Sequence, residues 1–191
     1  YAYQILRLNH YSGNYANTIV EYENLVVTNT TKSVLQPLCL ALKAGALFKT
    51  GNKKLAAYLF SKAYAMSDAK KISNYLGFTW SIKKEDDETL YLAQCKTDEE
   101  KATMLTLFSL NTVNNDVATV KEIFKLNPSN DALEVLAVRE INKLEERLLT
   151  PTLQQEKGIK EIYINYSSTN VDSVMQLAKK DAIQLTTLLH N

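Results

Sequence analysis

The stretch that decides the fold is "LALKAGALFKTGNKKLAAYLFSKAYAMSD", Leu40 to Asp68. Small residues stand at Ala44, Ala56 and Ala63, a Gly-Asn break falls at 51 and 52, and Phe60 is the aromatic between two of the alanines. Apolar residues recur at three and four on both sides of the break, so the stretch reads as two helices joined by "TGN". Helix three is expected from Ser33 to Lys49, with Ser33 as N-cap and Pro37 tolerated in its first turn. Helix four is expected from Asn52 to Met66.

Aligning Gly13 with Gly51 superposes a second helix pair on the first at a shift of 38 residues. Tyr15 then falls on Lys53, Thr18 on Ala56, Ile19 on Ala57, Tyr22 on Phe60 and Leu25 on Ala63. Small and aromatic positions correspond because a small side chain admits a crossing helix while a nearby aromatic fills the adjoining groove. The earlier pair is expected as one helix ending near Tyr11, with Gly13 at its C′ position, and another over 15–27.

The pattern resembles the tetratricopeptide repeat, a helix-turn-helix unit. Ala44, Gly51, Ala56, Phe60 and Ala63 match its spacing; Gly13, Tyr15 and Tyr22 follow it in the first pair, with Leu25 and Lys43 as departures. "LNPSN" at 126–130 is similar to the ending common in that family. The resemblance covers 1–66 and fades into degenerate helical pairs over 67–149, leaving C-terminal helices over 150–191. The Tyr-rich opening and "REINKLEE" are also similar to parts of long multi-repeat proteins of the Bacteroidetes type.

The resemblance implies an all-α, right-handed α-α superhelix of about ten helices in one domain. It also implies a non-enzymatic module that binds a protein or peptide on the concave face of its stacked hairpins. The groove-facing positions it assigns are Tyr3, Arg7, His10 and Tyr11 in the first pair, and Leu38, Ala41, Gly45, Phe48 and Lys49 in the second. A different class of reading, an all-α ligand-binding domain or enzyme, would place a cleft between the repeat half and the C-terminal helices.

The composition agrees with a helical chain. Five Gly and three Pro in 191 residues leave few turn formers for a many-stranded protein. Downstream, Asp68 is expected to cap a fifth helix from Ala69 to about Trp80, although Gly77 weakens its end. Thr97 and Glu100 match a capping box. "SNDALEVLAVREINKLEERLL" carries the clearest apolar stripe and is expected to stop at Thr150 and Pro151. The segment 152–170 is ambiguous, since "IYINY" has strand-like composition, and a final helix is expected over 171–189.

Twenty-two basic residues against 21 acidic ones offer no broad positive field, which argues against nucleic acid and anionic membranes as partners. No apolar run is long enough to span a bilayer. The opening lacks an initiator Met and an N-cap, and reads as a piece of a longer protein; cytoplasm and periplasm are both compatible. No metal or cofactor is implied. His10 and His190 have no carboxylate or cysteine at ligand spacing, and Cys39 and Cys95 read as small buried hydrophobes. The acidic run 85–88 lacks the pattern of a calcium loop and reads as a solvated stretch entering a helix. The eleven tyrosines read as packing residues, some of them lining a groove.

Overall fold

The computed structural model describes residues 1–29, 33–83, 85–113, 116–157 and 171–190. Among these every regular element is helical and no strand occurs. The elements are α1 (Ala2–Tyr11), α2 (Tyr15–Tyr22), a π-helical turn (Glu23–Val27), α3 (Gln36–Lys49), α4 (Lys53–Met66), α5 (Lys71–Ser81) and α6 (Thr89–Leu92). They continue with α7 (Asp98–Asn111), α8 (Val117–Leu126), α9 (Leu133–Lys157) and α10 (Val171–Leu189). The ambiguous "IYINY" stretch lies outside the described residues. The chain divides into two compact units, Tyr1–Leu107 and Phe108–Asn191.

In the first unit the turns at Gly13 and Gly51 are one structure built twice. Gly13 and Gly51 have φ of +83° and +91°, a left-handed conformation that costs an L side chain roughly 1–2 kcal/mol. The Gly13 N–H donates to His10 O and the Asn14 N–H to Asn9 O. Thirty-eight residues on, Gly51 donates to Phe48 O and Asn52 to Leu47 O, with matching distances of 3.2 and 2.8–2.9 Å. This is the Schellman arrangement, which satisfies the last carbonyls of one helix while the chain reverses. The residues entering the next helices agree too: Asn14 sits at φ −78°, ψ 60° and Asn52 at φ −82°, ψ 65°.

Packing follows the same shift. Leu6 and Ala44, then Thr18 and Ala56, are pairs of equivalent positions, and all four are fully buried. α1 packs on α2 and α3, α3 on α4 and α5, and α4 on α5. The equivalence loosens at Leu25, which lies in the π-helical turn and is only half-buried where Ala63 is fully buried. Lys43, the other departure from the repeat pattern, pairs with Glu23 and lies 4.6 Å from the Tyr22 ring centroid, so it ties α3 to the preceding hairpin.

α5 continues to Ser81 past Gly77. A Cβ there would lie 2.5 Å from Cε1 and Cζ of Phe60, so α4 and α5 approach closely only because this position has no side chain.

Three boundaries differ from the sequence expectation. α3 begins at Gln36, and the Ser33 hydroxyl accepts from the Leu35 N–H in a local turn instead of capping the helix. α5 begins at Lys71; Asp68 forms no cap but pairs with Lys71, while Ser67 accepts from the Ala69 N–H. α9 runs through Pro151 to Lys157. At α7 the Thr97 hydroxyl accepts from Glu100 N–H as a capping box requires, but the Glu100 carboxylate reaches Lys96 N–H, one residue further back. The same carboxylate takes bonds from Tyr58 and Lys62 on α4.

In the second unit α8, α9 and α10 share a core of Val117, Leu144, Ala178 and Leu185. Glu140, 1% exposed, accepts from the Asp116 N–H at the start of α8 and pairs with Lys143. Arg139 donates to the carbonyls of Ser109 and Thr112 at the end of α7. Each of these α9 side chains therefore satisfies backbone groups that a helix end leaves open.

Substitutions at two positions check this packing. Gly77→Ala should lower the unfolding midpoint by the equivalent of about 1–3 kcal/mol, although alanine is the better helix former by about 1 kcal/mol; a raised midpoint would contradict the close contact. Glu140→Ala should destabilise by about 1–3 kcal/mol, because it removes the acceptor of the part-buried Asp116 N–H, and Glu140→Gln by less. Chemical denaturation of these variants reads the difference.

Candidate functional site

A cavity of about 350 Å³ is built from α1, α3, α4 and α5. α1 contributes Tyr3, His10 and Tyr11, and α3 contributes Leu38, Ala41, Gly45, Phe48 and Lys49. All the positions singled out on the first helices of the two hairpins therefore come together here, with the exception of Arg7. Arg7 is exposed on α1, with its guanidinium carbon 5.9 Å from the Tyr11 ring centroid.

The remaining wall was not legible from the repeat pattern. Phe60 comes from α4, and Lys70, Ser73, Asn74, Gly77 and Trp80 from the entry and body of α5. One signal for it exists in the sequence: "YLGFTW" sets a glycine among three aromatics inside a helical pattern, a combination that marks close approach by another element.

Gly45 and His10 determine the width of the site. A Cβ on Gly45 would meet His10 Cε1 at 2.8 Å, so the imidazole lies directly on the α3 backbone. The ring also stands edge-on to Tyr11 and Tyr15, at centroid distances of 5.7 and 5.4 Å. Its Nδ1 is buried without a hydrogen-bond partner. Burial lowers the His10 pKa, a backbone hydrogen bond to Leu42 opposes this, and the nearby Lys49 ammonium lowers it further. The neutral imidazole is therefore favoured over the cation more than in a free histidine.

Among the described residues, the charged groups on the wall are Lys49 and Lys70, both exposed, and no carboxylate lines the cavity. Lys70 enters α5 at φ 59°, the one non-glycine with a left-handed backbone among the described residues. Trp80, 62% exposed, and Tyr11, 73% exposed, leave aromatic faces open to solvent.

The other candidate groups have local explanations. Burial pushes the Cys95 thiol up to about 11, and Cys39 is raised for the same reason, so neither supplies a thiolate nucleophile at neutral pH. Asp86 accepts from the Tyr91 hydroxyl and Asp87 from the Thr89 N–H, so two of the acids in the 85–88 run organise the loop ahead of α6. No group of three metal-ligating side chains occurs among the described residues. No described helix is long and apolar enough to cross a membrane. No protein-family model matches the chain, and no curated protein or solved structure does.

The depressed His10 pKa has a signed consequence. As pH falls through the ordinary histidine value of 6.5, the unfolded chain takes up a proton before the folded one, so stability is lost on acidification. His10→Gln should shrink the drop in melting temperature between about pH 7.5 and pH 5.5. Equal drops in both proteins, read by circular dichroism, would contradict a buried neutral imidazole.

Proposed function

We propose that residues 1–81 are stacked helical hairpins of tetratricopeptide type, forming a right-handed superhelical module, and that their inner helices bind a protein or peptide segment without catalysing a reaction on it. The observation that carries this reading is the convergence of equivalent positions. Tyr3 and Ala41, His10 and Phe48, and Tyr11 and Lys49 are related by the 38-residue shift, and all six line one cavity. The duplicated turn at Gly13 and Gly51 and the direct packing of α1 on α3 and of α3 on α5 support it. In such an array each first helix touches the next and presents its free side to a ligand.

The chemistry of the wall suits contact more than reaction. Tyrosine, phenylalanine and tryptophan give large rigid contact surfaces at low entropic cost. The His10 imidazole is wedged between a glycine backbone and two tyrosines, with no carboxylate among the described residues of the cavity wall to pair with it as an acid–base partner.

Selection of a randomised displayed-peptide library on the protein tests the reading. Selected peptides should protect α1, α3 and α5 from amide hydrogen exchange, and Phe48→Ala should weaken them by about tenfold or more, as loss of a central aromatic contact does. Protection confined to other helices, or a library from which nothing is enriched, would overturn it.

A further inference from the structure

α1 is held to its neighbours at two places of different chemistry. Near its middle, Leu6 is fully buried in a cluster with Val26 and Cys39. At its C-terminal end, the His10 ring rests on the α3 backbone at Gly45, where a Cβ would meet Cε1 at 2.8 Å, and stands edge-on to Tyr15 of α2. The His10 carbonyl also accepts the Gly13 N–H of the turn that follows. The second hold therefore depends on an imidazole, the side chain whose charge ordinarily changes between about pH 5 and 8.

The seat on Gly45 suits the neutral ring. Nδ1 is buried without a hydrogen-bond partner. Protonation makes both ring nitrogens donors, and a buried charged donor without an acceptor costs more than a buried lone pair. Lys49 on α3 repels a second cation there. Arg7, three residues back on α1, and Lys70 on the same cavity wall carry the same sign. On α2 the ring meets Tyr15, and the acid of that helix, Glu21, is six residues further along. Only the Leu42 backbone favours the cation, by a hydrogen bond whose effect burial outweighs.

In solvent the preference reverses. The last turn of α1, to which His10 belongs, carries the negative end of the helix dipole, which favours a cation. A charged ring thus has a place in water at the very helix end where a neutral ring has a place against α3.

We propose that His10 is an acid-operated latch between α1 and α3. Uptake of one proton from solvent turns the ring off Gly45, and the C-terminal half of α1 lifts from α3 with the Gly13 turn. Leu6 keeps the other half docked. The cavity loses the corner formed by His10 and Tyr11, while α3, α4 and α5 stay packed on one another. Acid-weakened folding requires only that the unfolded chain take up a proton; the latch confines the change to one contact. It holds whether or not the cavity takes a peptide.

Amide hydrogen exchange of the full chain at about pH 7.5 and pH 5.5, corrected for the intrinsic pH dependence of exchange, tests this. An opening coupled to one proton becomes up to about tenfold more frequent over that range when the freed imidazole titrates near its ordinary 6.5. Protection after Leu6 in α1, and at Gly13 and Asn14, should therefore fall by about three- to tenfold. α4 and α5 serve as internal controls and should change little, since carboxylates ordinarily titrate below this range and the other histidine, His190, lies in the second unit.

His10→Gln, which cannot take up the proton, should abolish the response. Gly45→Ala displaces the ring without adding charge, so it should expose α1 already at pH 7.5 and leave little further loss at pH 5.5. An acid response retained in His10→Gln or undiminished in Gly45→Ala would overturn the latch. So would constant protection of α1 in the wild type, or a loss shared equally by α4 and α5, and neither of these needs a variant that folds.

Discussion

The first unit depends on a backbone constraint: two glycines, Gly13 and Gly51, held in the left-handed region by hydrogen bonds of the same pattern. A helix end closed in this way fixes how the chain leaves it, so two ends closed identically send α2 and α4 away at matching angles. The small or fully buried residues at equivalent depths, Leu6 with Ala44 and Thr18 with Ala56, then meet their neighbours at comparable places. Turn chemistry determines direction, and side-chain volume determines how closely the helices settle.

Where the backbones come closest, glycine recurs for a different reason. Gly45 lies against the His10 ring and Gly77 against the Phe60 ring, neither with a positive φ. Both pairs border the same cavity. The cavity exists because aromatic rings rest on bare backbone at two of its corners, which draws α1 to α3 and α4 to α5 while leaving the space between them open.

Much of the helical layout was legible in the sequence because apolar spacing and the two glycine turns are local signals. The 38-residue correspondence was visible for the same reason, and it placed residues on α1 and α3 that share one pocket. The α5 wall was not visible: Lys70, Asn74 and Trp80 carry no repeat match, and their role comes from tertiary approach through Gly77. Helix ends were misjudged at Ser33, Asp68 and Pro151, where side chains with cap or breaker chemistry found other uses. Glu140 looked like one of many helix-surface acids, and only the fold shows it buried against the start of α8. Arg7 was assigned to the groove by register alone, and it projects to solvent beside Tyr11.

Apart from Phe60 on α4, the pocket draws its walls from three segments far apart in the chain, near residues 3–11, 38–49 and 70–80. Its existence and the stacking of successive hairpins are therefore one equilibrium. Fraying of any one hairpin removes a wall, so a ligand bound as proposed would select the packed form and hold the helices together by mass action. Binding of the proposed kind would also act as a clamp on the architecture: local openings that free any of these segments would become rarer in proportion to how fully the site is filled.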